Sequence, residues 1–254
     1  METEALKDPD RAAILSIEGI VAGYGKMTIL NQTSFAVTRG AITTIIGPNG
    51  AGKSTVFKAV FGLLPVRAGR IVFEDRDITN LSPRRLLDLG ICLVPQGRNL
   101  FPQLSVRHNI ELGGMALKDP KELSRRLDAA MDRFPLLRRK AEAQASTLSG
   151  GEQKLLEIAR GLLLEPALML IDEPSIGLSP IMVQETFAIL KGLRAAGVSI
   201  LMVEQNARAA LQLSDFGIVL EQGRTRIADK AGAILANQRL QHLFLGGALE
   251  GDAA

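Results

Sequence analysis

Apolar and polar positions are distributed along the chain in two distinct periods. Residues 14–21 and 29–37 are rich in β-branched and aromatic side chains and are followed by the turn signals Gly23-Tyr24-Gly25 and Arg39-Gly40, which predicts two strands. The run 41–46 is β-branched and apolar, as a buried strand requires, and 56–61 has helical character. Short strands are predicted at 69–73 and 91–94, with a helix between them that opens at Ser82-Pro83, serine at the cap and proline at the first position. From about 105 to 145 the composition shifts to Leu, Ala, Arg, Lys and Glu. Leu123, Leu127, Ala130, Met131 and Phe134 recur there at helical spacing, the pattern of a helical insertion between two α/β parts. Helices at 151–164 and 180–195 then separate strands at 168–172 and 199–203, and strands at 217–220 and 224–228 precede a closing helix. Strands alternating with helices, without an internal repeat, predict a mainly parallel α/β sheet.

A length of 254 residues suits one large domain or two small ones, and a hydrophobic content of 46% supports a substantial core. The formal charge is only +3 and the basic residues are dispersed. Arg84-Arg85, Arg125-Arg126 and Arg138-Arg139-Lys140 read as solvated helix faces rather than a nucleic-acid groove. One tyrosine and no tryptophan leave few platforms for stacked bases, so no nucleic-acid partner is expected. The single cysteine, Cys92, lies in an apolar run and reads as a core residue of a cytosolic protein. Residues 1–11 form a polar tail without the apolar stretch of a signal peptide, and the apolar run at 161–164 is broken by Glu165 and Pro166. Nothing is long enough to span a bilayer, so a membrane role would pass through a partner.

The chemistry begins at Gly47-Pro48-Asn49-Gly50-Ala51-Gly52-Lys53-Ser54-Thr55, a full match to the phosphate-loop pattern, set between a predicted strand and a predicted helix. The glycines permit backbone turns closed to side chains and a close approach to phosphate. The loop amides and the helix N-terminus direct donors and partial positive charge at the anion. Lys53 supplies a point charge for the β- and γ-phosphates, and the Ser54 hydroxyl is the expected Mg2+ ligand. Downstream, the apolar strand 168–171 ends in Asp172-Glu173, the Walker B arrangement: Asp172 for the Mg2+ shell, Glu173 to polarise the attacking water. Ser149-Gly150-Gly151 at a helix start would make a second phosphate site from a hydroxyl, glycine amides and the helix dipole.

With the Walker motifs on either side, Leu148-Ser149-Gly150-Gly151-Glu152-Gln153 resembles the signature of the ATP-binding cassette (ABC) ATPases, and the likeness extends from about Leu15 to the C-terminus. The resemblance implies a P-loop NTPase fold in one domain over 12–250. Its parts would be a RecA-like, mainly parallel sheet, an N-terminal antiparallel β subdomain and a helical subdomain over about 105–163. It implies ATP and Mg2+ as cofactors. It further implies that Tyr24 stacks on adenine, that Gln96 contacts Mg2+ and couples to a transmembrane partner, and that Ser175-Ile176-Gly177-Leu178-Ser179-Pro180 is the loop crossing a dimer interface. Two positions depart from the family: Ser179 stands where Asp is usual, and Gln205 replaces the switch histidine, the only histidines being His108 and His242. Glutamine can donate to a γ-phosphate but carries no proton, so Gln205 joins Glu173 and Gln96 as a catalytic candidate without an acid–base role.

The segments at 94–102, 172–180, 203–207 and Phe244-Leu245-Gly246 look like the LivF-type ATPase subunits of branched-chain amino acid importers, which usually have Glu at the Gln96 position. Urea and short-amide importer ATPases share much of the pattern, and a lipid- or lipopolysaccharide-extracting cassette is the further alternative. An importer reading implies a second ATPase subunit, a paralogue or another copy, whose loop faces Ser149-Gly150-Gly151. It also implies two transmembrane permease subunits, an indirect link to a periplasmic solute-binding protein, and a peripheral place on the cytoplasmic side of the inner membrane. A DNA- or ribosome-directed cassette would carry a long coiled-coil insertion or a second cassette, and the chain has neither.

Overall fold

The computed structural model describes residues 12–97 and 99–237. The polar tail 1–11, Arg98, His242, the run Phe244-Leu245-Gly246 and the expected domain limit at 250 lie outside the described residues.

In chain order, β1 (Ala13–Ala22), β2 (Leu30–Thr38) and β3 (Ile42–Ile46) lead into α1 (Lys53–Val60). They are followed by β4 (Val66–Phe73), β5 (Arg76–Asp77), α2 (Pro83–Asp88) and β6 (Ile91–Val94). The helical segment comprises α3 (Val106–Glu111), α4 (Pro120–Arg133), α5 (Pro135–Arg139) and α6 (Gly150–Leu162). The chain continues through β7 (Leu168–Asp172), α7 (Pro180–Ala195), β8 (Ser199–Val203), α8 (Ala207–Leu213), β9 (Phe216–Glu221), β10 (Arg224–Lys230) and α9 (Ala231–Ala236).

Two sheets result. One is four-stranded and antiparallel, in the order β2-β1-β4-β5. The other has six strands in the order β10-β9-β3-β8-β7-β6, and only β10 runs antiparallel to its neighbour. Its central strands are buried on both faces, which is why they read as continuous apolar runs. Successive side chains alternate between two cores. Leu168, Leu170, Leu201 and Val203 face α1 and the antiparallel sheet. Met169, Ile171, Ile200 and Met202 face α4, α6 and α7. The helical segment therefore shares a core with one face of the parallel sheet.

Several elements exceed the sequence expectation. β4 begins at Val66 rather than 69, and β5 and α8 have no counterpart in the predicted pattern. β5 is a two-residue pairing with the end of β4, too short to carry a period. α8 starts on Asn206, whose Oδ1 accepts from the Ala209 N–H at 3.1 Å, a cap adjoining Gln205. The arginine clusters lie on paired, partly solvated faces: Arg84 meets Asp88, Arg125 and Arg126 meet Glu122 and Glu165, and Arg138 meets Asp132. Cys92 is buried and free, its thiol pushed up to about 12 by desolvation. Among the described residues no helix is long and apolar enough to cross a membrane.

Gly223, in the turn between β9 and β10, joins the two sheets to the phosphate loop. Its carbonyl accepts from Asn31 N–H at 2.8 Å and from the buried Thr33 hydroxyl at 2.6 Å, and its N–H donates to Ala51 O at 3.0 Å. Its φ is +69°, and a Cβ there would run into the Ile29 carbonyl oxygen. Gly223→Ala is therefore expected to lower the unfolding free energy by about 2 kcal/mol or more, read as a lower urea midpoint. An unchanged midpoint would show that the joint yields without cost.

Candidate active site

The phosphate-loop residues lie between β3 and α1. Gly47, Gly50 and Gly52 all hold positive φ, of 152°, 80° and 100°. At Gly47 a Cβ would strike the Leu220 carbonyl on β9, so this glycine answers a close approach between neighbouring strands. Lys53 opens α1, and its ammonium donates to the carbonyls of Gly47 at 2.8 Å and Pro48 at 3.0 Å, which lays the charge across the mouth of the loop. Burial lowers its pKa, opposed by the negative charges of Glu173 and Asp172.

The sheet order then decides what faces the loop. β8 lies between β3 and β7, and β6 pairs with the far side of β7. The parallel strands all end on one edge, where α/β sheets bind ligands. Asp172 ends β7, and its Oδ1 lies 3.4 Å from Ser54 Oγ. Burial raises the Asp172 pKa, with the neighbouring Glu173 charge adding to it and the Ser54 hydrogen bond opposing it. Among the described residues no three acidic, histidine or cysteine side chains gather into a cage. One hydroxyl and one carboxylate, both hard oxygen donors, are a donor set that would suit Mg2+.

Glu173 follows at a φ of 50°, a left-handed conformation unusual for glutamate. Its N–H donates to Val203 O at 2.9 Å and its carbonyl accepts from Ile176 N–H at 3.3 Å, and these bonds hold the turn. The side chain is 6% exposed and is gripped from both neighbouring strands. Gln96, two residues beyond β6, donates its amide to Glu173 Oε2 at 2.7 Å. Gln205, two residues beyond β8, donates to Oε1 and Oε2 at 3.2 and 3.1 Å. Two neutral amides thus fix the rotamer of one buried carboxylate, and no titrating group is needed to do it.

The structure brings together Gly47–Thr55, Gln96, Asp172, Glu173 and Gln205. Tyr24 sits beside α1, 46% exposed, with its hydroxyl 3.2 Å from Lys58 Nζ and the same ammonium 5.5 Å from the ring centroid. Ser149 caps α6, accepting from Glu152 N–H at 3.4 Å while its own N–H donates to Glu152 Oε2 at 2.9 Å. Ser149 and Gly150 are exposed, while Gly151 is buried. Ser179, in the place of the family's Asp, caps α7 by accepting from Met182 N–H at 3.4 Å.

Glu204 is the residue that sequence reasoning missed. It is 2% exposed and accepts from Ser175 N–H and Oγ, both at 2.8 Å, and from Gln205 N–H at 3.2 Å. Burial raises its pKa and these three hydrogen bonds oppose the rise. An acid directly after an apolar strand was the available signal.

A model of the ABC transporter family matches residues 30–176. The chain is 39% identical to the high-affinity branched-chain amino acid transport ATP-binding protein BraG of Pseudomonas aeruginosa, over 92% of this chain and all of that protein. It is 37% identical to the probable branched-chain amino acid transport ATP-binding protein LivF of Archaeoglobus fulgidus, over 89% of this chain and 95% of that one. The lipopolysaccharide export system ATP-binding protein LptB of Escherichia coli is 31% identical over 92% of this chain and 98% of its own. Among solved structures, a nucleotide-free ATP-binding cassette from an ABC transporter superposes with a TM-score of 0.83 at 27% identity, covering 93% of this chain and 100% of the other. The ADP conformation of MJ1267, an ATP-binding cassette of an ABC transporter, gives 0.82 at 28% identity, with the same coverage of both chains.

Gln205→Ala is expected to reduce ATP turnover at least about fivefold, since a buried acceptor loses its donor, whereas Gln205→His keeps a donor at the same strand end and retains part of the rate. Glutamine does not titrate, so the wild-type pH–rate profile should show no step from this position, while the histidine variant gains one near its ordinary pKa of about 6.5. An alanine variant matching wild type across the profile would leave Gln205 without a role.

Proposed function

The chain belongs to the ABC transporter family, and on that premise we propose that it is the ATP-hydrolysing subunit of a bacterial importer for branched-chain or other hydrophobic amino acids. Its fold is that of an ATP-binding cassette, and its activity is ATP hydrolysis. The observation that carries the mechanism is the Glu173 carboxylate, held by Gln96 and Gln205 beside Lys53, Ser54 and Asp172.

In the proposed reaction Glu173 accepts a proton from a water molecule as that water attacks the γ-phosphorus. The bond to the β–γ bridging oxygen breaks, and ADP and phosphate leave. Gln96 and Gln205 orient the carboxylate, and Gln205, whose amide carries two hydrogens, donates one to Glu173 and the other to the γ-phosphate. Lys53 exchanges its two loop carbonyls for phosphate oxygens, stabilising charge in both ground and transition states. Gly47, Pro48, Asn49, Gly50, Ala51, Gly52 and Thr55 supply the backbone cradle, and Tyr24 a face for the adenine. Ser54, Asp172 and Gln96 would hold Mg2+, which would supply charge neutralisation of the phosphates.

The α6 end at Ser149-Gly150-Gly151, of which Ser149 and Gly150 are exposed, is suited to the γ-phosphate on a second subunit, a paralogue or another copy. ATP then favours a closed pair and hydrolysis reopens it. A cleft of about 280 Å³ beside the Gln96 turn is lined by Leu87, Leu93, Val94, Phe101, Met115 and Leu164. Phe101 and Met115 are 53% and 78% exposed, an apolar surface fit for a segment of a transmembrane permease. Such a permease would hold the subunit on the cytoplasmic side of the membrane and link it indirectly to a periplasmic binding protein. The amino-acid reading draws on the likeness to BraG and LivF. The likeness to LptB supports lipopolysaccharide extraction as a second reading, and import of urea or short amides is a third.

Glu173→Gln is expected to bind Mg-ATP yet hydrolyse it about a hundredfold or more slowly, because an amide cannot take the proton. ATP should then trap a dimer, seen as a doubled mass by light scattering; turnover at the wild-type rate would remove Glu173 from its role. For the solute, the cassette copurified with its membrane subunits and binding protein should hydrolyse ATP faster when leucine, isoleucine or valine is added. Stimulation by urea or lipopolysaccharide alone would overturn the amino-acid assignment.

A further inference from the structure

A continuous series of hydrogen bonds leads from the Glu173 carboxylate to the helix that carries the signature residues. Gln96 donates to Glu173 Oε2 at 2.7 Å, and the Gln96 carbonyl accepts from Asn99 Nδ2 at 3.3 Å. The peptide groups of Asn99 are held at both ends from α6. The Asn99 N–H donates to Glu157 Oε1 at 2.8 Å, and the Asn99 carbonyl accepts from Arg160 Nη1 at 2.7 Å. Glu157 and Arg160 are three positions apart, so both project from one face of the helix. The second Glu157 oxygen accepts from Lys154 Nζ at 2.6 Å, and this pair is almost wholly buried, at 3% and 6% exposure.

A buried ion pair is weak evidence for stability, because desolvation offsets the attraction and an apolar pair of the same volume would pack as well. The placement of this one has another rationale. Lys154 fixes the Glu157 carboxylate so that its free oxygen points at a single backbone N–H, and Arg160 takes the carbonyl of the same residue. Held at two points, Asn99 cannot rotate independently of α6. Its side-chain amide in turn fixes the Gln96 backbone, and Gln96 fixes Glu173.

We propose that Glu157 and Arg160 are positioning residues for ATP hydrolysis: by clasping Asn99 they make the orientation of α6 set the Gln96 amide, and through it the reactive rotamer of Glu173. The inference rests on the reading of Glu173 as the base that Gln96 orients. Neither clasp residue needs to touch nucleotide. A rotation of α6 that brings Ser149-Gly150-Gly151 toward a second subunit would carry Asn99 with it, so hydrolytic alignment and signature placement would change together. The coupling runs through direct bonds between two packed elements.

The test is steady-state ATP hydrolysis by the full chain. Arg160→Ala should lower kcat about tenfold with KM for ATP within about twofold, since a small misplacement of the base affects the chemical step and not binding, and Gln96→Ala should lower kcat at least as far. Their combination should fall no further than the worse single variant, because both cut one route to Glu173. Arg160→Lys, which keeps a donor, should recover part of the rate. Asn99→Ala, at an exposed position, breaks the same route without altering α6, and should lower kcat alike; it decides the matter if Arg160→Ala does not fold. Wild-type kcat in Arg160→Ala or Asn99→Ala would overturn the clasp. Losses that multiply in the double variant would also overturn it while leaving the role of Gln96 intact. An unchanged Gln96→Ala would remove that role and the clasp with it.

Discussion

The spacing of parallel strands is the constraint on which the site depends. Neighbouring strands lie about 4.8 Å apart, and strands that run in one direction deliver their following residues to one edge. The order β3-β8-β7-β6 therefore places the phosphate loop, Gln205, the Asp172-Glu173 pair and Gln96 side by side. Glu173 sits at the end of the middle strand of three, so an amide reaches it from each flank. Two cores of apolar side chains hold that edge rigid, one on each face of the sheet.

Charge in this edge is buried and hydrogen-bonded to neutral groups. Lys53, Asp172, Glu173 and Glu204 are all buried, and each is satisfied by backbone groups, hydroxyls or amides. Burial pushes Lys53 down and Asp172 up in pKa, so both are held in environments that disfavour their charges until a phosphate or cation enters. Glu204 serves as a tie between two segments. Its single carboxylate joins Ser175, at the start of the loop 175–180, to the backbone of Gln205. A displacement of that loop would thus be felt at Gln205.

Much of this was legible in residue order. The strand Ser199–Val203 and the helix Pro180–Ala195 match their expected bounds because an apolar run and a proline at the first helical turn are local signals. The phosphate loop is equally local. The meeting of Gln96 and Gln205 at Glu173 was not legible, because those residues lie 77 and 32 positions from it and only strand order brings them together. Glu157 reads in sequence as one more charge on a helix, and its burial becomes visible only when Asn99 is in place. β5 and α8 were missed because two and seven residues are too few to show a period.

The burial of Cys92 has a practical consequence. It is the chain's single cysteine, and burial pushes its thiol up to about 12, well away from the thiolate form at neutral pH. Thiol-directed reagents therefore find almost no target in the native protein. A cysteine introduced on an exposed turn would be the sole reactive handle, and a fluorophore or spin label attached there would report one chosen position without any prior removal of native residues.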